Sequence, residues 1–418
     1  MSIKLEVNAA RLLASVADFA TIGATPAGGV NRPALGVEDR AARRLLAERA
    51  LARGFTVFQD DIANLFIRRE GRDAFLPPLL IGSHLDSQPT GGRFDGALGT
   101  LSAFEVLEAL ADAGIETDRA VEVVAFTNEE GSRYSPGCMG SMAFAGVGTM
   151  ADWESIYATD GARLADELAT TLATLPEAAM RSISHAVSAF VELHIEQGPI
   201  LEQEDVPIGV VTAVQGTKWL EVVFSGVAAH AGTTPLEFRK DPMSAAAAAI
   251  ASLQSAVMPA DPEARLTVGR ITAEPGSINV IPSSVAFTVD IRHPDAAALA
   301  AMDQHVRKEC EAAAARWDCD VAISQRVDMA PGRFASSITG TIEQACKALG
   351  LKSRQMVSGA FHDALFVSRI APTAMIFVPC RDGISHNEAE FVTDTHMISG
   401  AQVLLKVVES LALMDQLA

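Results

Sequence analysis

Basic charge is scarce in this chain. Its 418 residues carry 33 Lys and Arg against 52 Asp and Glu, a formal net charge of −19, with no basic run to offset it. Binding a phosphate backbone needs clustered cations, so the composition excludes nucleic acid as a natural partner. Cys138, Cys310, Cys319, Cys346 and Cys380 are odd in number, widely spread and without a C-x-x-C pair, which predicts reduced thiols and no disulfide framework. No stretch approaches 18 uninterrupted apolar residues, and the segment Met1 to Glu6 lacks an apolar leader core. We therefore expect no membrane partner and a cytoplasmic location. The phosphate-loop pattern G-x-x-x-x-G-K-[ST] is also missing, since Gly91-Gly92 lead to Asp95 and not to a lysine.

What is present is ample core material. Hydrophobic residues make up 49% of the chain and charged residues 20%, a globular balance, and the length favours two domains. Helical spacing occupies residues 8–20, 37–53 and 98–113, the last ended by Gly114. Strands are expected at 55–58, 64–67, 79–84, 121–126, 190–195 and 374–378. Such alternation predicts an α/β fold with a mostly parallel mixed sheet covered by helices, built from residues 1–214 and 333–418. Residues 215–332 differ in character. Leu220, Val222 and Phe224 alternate, as do Val285, Phe287, Val289 and Ile291, and helices are expected at 242–258 and 295–317. This order predicts a smaller inserted α+β domain of βαββαβ type.

Several polar residues follow apolar strands, where open α/β sheets build sites. His84 and Asp86 end one strand, and Asp95 sits in a glycine-flanked turn soon after. Imidazole and carboxylate suit a zinc-type ion, although a surface hydrogen-bonding pair has the same spacing. Glu129 and Glu130 follow the strand 121–126; neighbours in extended chain point opposite ways, so one suits a metal while the other faces a bound water. A solvated acidic turn is the plainer alternative. His194 and His386 close two further apolar segments. Arg292 lies on the polar face of its strand, where it suits a bidentate carboxylate or simply solvent.

These residues fall in stretches that together resemble a known family: GSHLDSQPTGGRFDGALG, TNEEGSRYSPGCMGSMAFAG, ELHIEQGPILE, QGTKWLE, AAHAGTTP, SINVIP, VDIRHP, HDA and PCRDGISHNEAE. In order from about residue 82 to 390, they resemble the amidase, hydantoinase and carbamoylase branch of the M20 metallopeptidases. That branch holds N-carbamoyl-L-amino acid hydrolases, ureidopropionases and allantoate amidohydrolases. The resemblance implies two divalent ions per subunit, with Asp95 between them, His84 and His194 on one, and Glu130 and His386 on the other. Zn, Mn, Co or Ni suits such thiolate-free ligands. It implies that Asp86 orients His84 and that Glu129 is the catalytic carboxylate, working on water activated by ions about 3.5–4 Å apart. His230 is implied as an oxyanion donor and, with Gln215, Asn279 and Arg292, as a substrate-binding group; Arg292 would take the α-carboxylate.

The same resemblance makes residues 215–332 a lid and dimerisation domain that lends His230, Asn279 or Arg292 to a neighbouring subunit. Gly359 and Ala360 would line the substrate pocket through their backbone, with His362 close to the metal ligands. Phe361 stands where this branch is expected to have glycine, which leaves the pocket's shape open. The expected reaction is cleavage of the carbamoyl C–N bond of N-carbamoyl-L-amino acids to amino acid, ammonia and CO2. Allantoate and 3-ureidopropionate are alternative substrates, with a small dipeptidase or a non-catalytic metal-binding protein more remote. His185, His293, His305 and His396 are read as structural or solvated.

Overall fold

The computed structural model describes residues 5–258 and 260–413. In chain order its strands begin with β1 (Thr56–Gln59), β2 (Leu65–Arg69), β3 (Leu79–His84), β4 (Val121–Phe126), β5 (Ala179–Met180), β6 (Ala189–Ile195) and β7 (Ile208–Val214). There follow β8 (Gly216–Ser225), β9 (Ala229–His230), β10 (Arg265–Thr267), β11 (Ile271–Glu274), β12 (Val280–Ile281), β13 (Ser284–His293) and β14 (Asp320–Met329), then β15 (Gly332–Arg333), β16 (Ser353–Ser358) and β17 (Thr373–Val378). Residues up to Thr212 and from Arg333 onward form one compact unit, and Ala213–Gly332 form another.

The larger unit is organised on a 10-stranded sheet in the order β15-β7-β17-β6-β3-β4-β2-β1-β5, with β16 on β7. Every residue of β3, β4, β6 and β17 is buried, as expected of apolar runs covered on both faces. These four run parallel, so their carboxyl ends open on one edge. The flanks are antiparallel: β2 against β1 and β4, and β7 against β17. The connection at residues 60–64 is too short for a crossover, so β1 and β2 can only make a hairpin. Helix Ala97–Asp112 lies beneath β3 and β6 and is covered in turn by Asp394–Ala412, which buries it on nearly all sides.

The smaller unit has an antiparallel sheet in the order β10-β13-β8-β14, with β11 also on β13. β10 and β11 pair with successive stretches of β13, so together they act as one interrupted edge strand and the order reads βαββαβ. Burial along β13 alternates at each residue. Its inward side chains Val285, Phe287, Val289 and Ile291 pack with Leu220, Val222 and Phe224 against helices Pro242–Ala256 and Ala296–Arg316. Asp241 and Asp295 cap those helices, accepting from Met243 N at 3.1 Å and Ala298 N at 2.9 Å. No helix of the described residues is long and apolar enough to cross a membrane.

Candidate metal centre

The parallel edge gathers the polar residues that follow its strands. His84 ends β3, and its Nδ1 lies 2.9 Å from the carbonyl oxygen of Asp86. An N–H there donates to the carbonyl, which leaves the Nε2 lone pair for an electrophile. Nε2 is 3.5 Å from both Asp95 Oδ1 and Glu129 Oε2, is buried, and has no hydrogen-bond partner. His194, on β6, has Nδ1 3.0 Å from the carbonyl of Ile195 and Nε2 3.1 Å from Asp95 Oδ1, and here Gly96 N also donates to Nε2 at 3.3 Å. Gly96, next to Asp95, has φ 60° and sits against the His84 ring; a Cβ would lie 2.3 Å from its Cε1. Only glycine lets this turn bring Asp95 so close.

The other oxygen of Asp95 faces a second group. His386 Nε2 is 3.5 Å from both Asp95 Oδ2 and Glu130 Oε2. His386 and Asn128 have φ of 54° and 55°, unusual for residues with a side chain. Asn128 is tied by Nδ2 to the carbonyls of Tyr134 and Pro136 at 2.8 and 3.0 Å, and its sharp turn sends Glu129 toward His84 and Glu130 toward His386. Asn64 steadies the same turn by accepting from Thr127 N at 3.0 Å. The Asp86 carboxylate accepts from the amides of Glu129 and Glu130 at 3.3 and 3.2 Å and is 3.8 Å from His84 Nδ1. Residue 86 thus meets His84 chiefly through its main chain, while its side chain holds the Glu129-Glu130 turn.

Burial dominates the electrostatics. It pushes Glu129 well above the ordinary carboxyl range, with Asp363 and Glu130 adding to the effect, and burial with Asp95 pushes Glu130 to about 8. Burial works against charge on His84, but Glu129, Asp95 and Asp86 outweigh it and raise the imidazole. Burial also works against a charged Asp95, yet His194 and His84 hold it well below its usual value. Buried carboxylates therefore outnumber the imidazoles among them, and a cation would offset the excess. Nitrogen and oxygen donors converge as His84-Asp95-His194 and as Asp95-Glu130-His386, with the bare Nε2 of His84 among them. The residues fit divalent ions.

Gln197, Ser385, Cys138 and Glu192 were not singled out as site residues from sequence, whereas His362, Gly359 and Ala360 were. Gln197 Nε2 and Ser385 Oγ donate to Asp95 Oδ2 at 2.8 and 3.0 Å. Cys138 Sγ lies 3.6 Å from Glu129 Oε1, and burial with the neighbouring carboxylates of Glu129 and Asp363 holds that thiol well above its ordinary pKa, which suits it to donate to Glu129. Glu192, two residues before His194 in a buried strand, accepts from Ser83 Oγ at 2.7 Å and Ala364 N at 3.0 Å. A charged side chain in an otherwise apolar strand was the available signal. His362 meets the His194 ring edge-on at 4.6 Å, and its Nε2 is 2.9 Å from Ser358 Oγ. Ser358 Oγ also bonds Ala360 N at 3.1 Å, while Gly359 beside it is exposed.

The remaining candidates lie in the smaller unit. β9 and β12 pair so that His230 sits opposite Val280, and Ala231 N donates to the carbonyl of Asn279 at 3.0 Å. His230 Nδ1 accepts from Gly232 N and Thr233 N at 3.0 and 3.2 Å, which places its proton on Nε2. Arg292, on β13, is paired to Asp290 at 2.8 Å, and Gln215 Nε2 donates to the carbonyl of Glu263 at 3.4 Å. His293, Asp261 and Glu263 also converge. Here, however, Nδ1 accepts from Asp295 N at 2.9 Å, so Nε2 carries the proton toward Asp261 at 3.0 Å and is not a free ligand.

Residues 80–410 match the family described as Peptidase family M20/M25/M40. The chain is 40% identical to the N-carbamoyl-L-amino-acid amidohydrolase of Rhizobium meliloti over 96% of its own length and 96% of that protein. It is 34% identical to the allantoate amidohydrolase of Escherichia coli K12, over 94% of this chain and 96% of that one. A crystal structure of an amidase of the hydantoinase/carbamoylase family from Burkholderia multivorans shares 43% identity and superposes with a TM-score of 0.91, covering 98% of this chain and 99% of that one. By sequence match and by fold, the chain belongs to peptidase family M20/M25/M40, in its amidase, hydantoinase and carbamoylase branch.

Proposed function

We propose that the protein hydrolyses the carbamoyl C–N bond of N-carbamoyl-L-amino acids. The observation that carries this reading is Glu129, a carboxylate only 10% exposed and set beside two ligand groups that share Asp95 but not itself a member of either. His84, Asp95 and His194 would hold one divalent ion, and Asp95, Glu130 and His386 the other. When bound, such ions supply Lewis-acid polarisation and an acidified water. Glu129 takes the proton of the attacking water at Oε2, while the Cys138 thiol faces its other oxygen. Water adds to the carbamoyl carbon, one C–N bond breaks, and Glu129 returns the proton to the departing nitrogen. The carbamic acid left behind falls apart to CO2 and the second nitrogen product, so that amino acid, ammonia and CO2 balance the reaction.

His230, with its proton on Nε2, is suited to donate to the carbonyl oxygen as it gains charge. Gln215, Asn279 and Arg292 bind the substrate, with Arg292 exchanging Asp290 for the α-carboxylate, and the backbone of Gly359 and Ala360 lines the pocket. Residues 215–332 act as a lid and pair subunits, supplying His230, Asn279 or Arg292 in trans. Mixing inactive Glu129→Gln with inactive His230→Ala tests this: recovered turnover supports sharing, and none removes it. The five cysteines are free, in keeping with a cytoplasmic enzyme.

Turnover by metal-stripped protein, with Zn, Mn, Co or Ni added back, tests the main reading. The panel is N-carbamoyl-L and N-carbamoyl-D amino acids, allantoate, 3-ureidopropionate and dipeptides. Metal-dependent ammonia release from an N-carbamoyl-L-amino acid is expected. Release from allantoate alone would move the assignment to that substrate, and tight metal binding without turnover would refute an enzymatic role.

A further inference from the structure

Glu390 is a buried carboxylate with no place in the chemistry above. Its Oε1 accepts from two consecutive backbone amides, Phe94 N at 3.0 Å and Asp95 N at 3.1 Å. Its Oε2 is 3.1 Å from Ser385 Oγ. The fit is close on every side: a Cβ on Gly92 would lie 2.0 Å from the Glu390 carboxylate. Glu390 thereby joins the turn that carries Asp95 to the loop that carries His386.

Ser385 has one hydroxyl hydrogen and two acceptors. Asp95 Oδ2 is 3.0 Å away and Glu390 Oε2 is 3.1 Å away, and the hydrogen can serve only one of them at full strength. Gln197 Nε2, 3.2 Å from Ser385 Oγ, can donate to that hydroxyl while its hydrogen points to Glu390. Asp95 Oδ2 is the oxygen that faces Glu130 and His386.

We propose that Ser385 and Glu390 form a hydrogen-bond exchange clasp that governs ion affinity at Asp95-Glu130-His386. When a cation takes Asp95 Oδ2, the Ser385 hydroxyl turns its hydrogen to Glu390 Oε2. One of the two donors on that oxygen is thereby withdrawn, Gln197 Nε2 keeping its own bond at 2.8 Å, and a lone pair is freed for the ion without leaving a hydroxyl hydrogen unpaired. Glu390 is a positioning residue in this scheme, acting through Ser385 and the Asp95 backbone. The inference rests on the two-ion reading given above.

Calorimetric titration of metal-stripped, full-length protein with Zn2+ or Mn2+ separates the two claims. The unaltered protein should bind two equivalents, and His386→Ala should identify the second by losing it; a single equivalent in the unaltered protein would defeat the two-ion reading itself. Glu390→Gln keeps an oxygen for the amides of Phe94 and Asp95 but presents an NH2 to Ser385, whose hydrogen then has only Asp95 to receive it. The second equivalent should weaken about 10- to 100-fold with the first unchanged. Adding Ser385→Ala to Glu390→Gln should restore it. Ser385→Ala alone should bind the second ion as tightly as the unaltered protein or more tightly. Equal weakening of both ions in Glu390→Gln, no weakening, no recovery in the double variant, or a tenfold loss in Ser385→Ala alone would each overturn the clasp.

Discussion

Glu129 is where a single atom exchange is most informative. Glu129→Gln preserves shape and the turn held by Asp86, but the amide cannot take a proton. Turnover should fall about 10²- to 10⁴-fold, with KM and bound ion unchanged; turnover close to that of the unaltered protein would remove the general-base role. Glu122 tests a different residue-scale effect. Burial alone would raise this carboxyl, but the His185 hydrogen bond and the Arg181 and Arg68 cations bring it from 4.5 to about 2. A depressed folded pKa stabilises above the unfolded value and ceases to do so as pH falls through the folded one. Glu122→Gln should therefore lose about 3 kcal/mol at pH 7 by urea denaturation, with the gap closing between about pH 4.5 and 2. The same gap at pH 7 and pH 3 would contradict this. His84, Asp95, Glu129, Glu130, His194 and His386 were legible because each follows an apolar strand or a glycine-flanked turn. Glu390, Ser385, Gln197 and Cys138 were not, because they act through contacts between segments far apart in the chain, such as Phe94 with Glu390, which local spacing does not encode.

Elements with strong periodicity were the readable ones. The helices expected at 8–20, 37–53 and 98–113 form as Ala9–Ala20, Val37–Ala52 and Ala97–Asp112, and β4 has the expected limits. β14, implied as the last strand of the βαββαβ order, was not given limits, for a physical reason. Its register against β8 shifts between Gln325 and Val327, a bulge that brings Val327 opposite the exposed Trp219, and most of its residues are exposed. Alternation broken midway gives no clear face. The large sheet is mixed as expected: parallel through β17-β6-β3-β4, antiparallel where β1 and β2 make a hairpin, and parallel again where β5 joins β1. In β13 the alternation is unbroken, and Phe287 stacks on Phe224 with centroids 6.1 Å apart. Phe287→Ala should cost about 3–5 kcal/mol in denaturant unfolding; a loss below about 1 kcal/mol would mean that the two-helix core does not depend on this ring.

At the scale of the whole molecule, the net charge of −19 accompanies a site whose carboxylates exceed its cations. Ions that bind the folded chain and not the unfolded one raise stability by mass action, about 2.7 kcal/mol for each site at a hundredfold excess over Kd. Metal-stripped protein should melt at a lower temperature than the reloaded protein, and His386→Ala should recover only part of the difference. A melting temperature insensitive to added ion would contradict the site.

The proposed ligands are drawn from the ends of β3, β4, β6 and β17, beginning at His84 and finishing at His386. The residues as far as β6 include His84, Asp95 and His194, the members of one candidate group, and lack only His386 of the other. His386 is added only after β17 has threaded beside β6, across a long closed loop. On the two-ion reading, the second ion can be held only once His386 is made and β17 has paired with β6, so a chain cut before His386 would bind one ion at most.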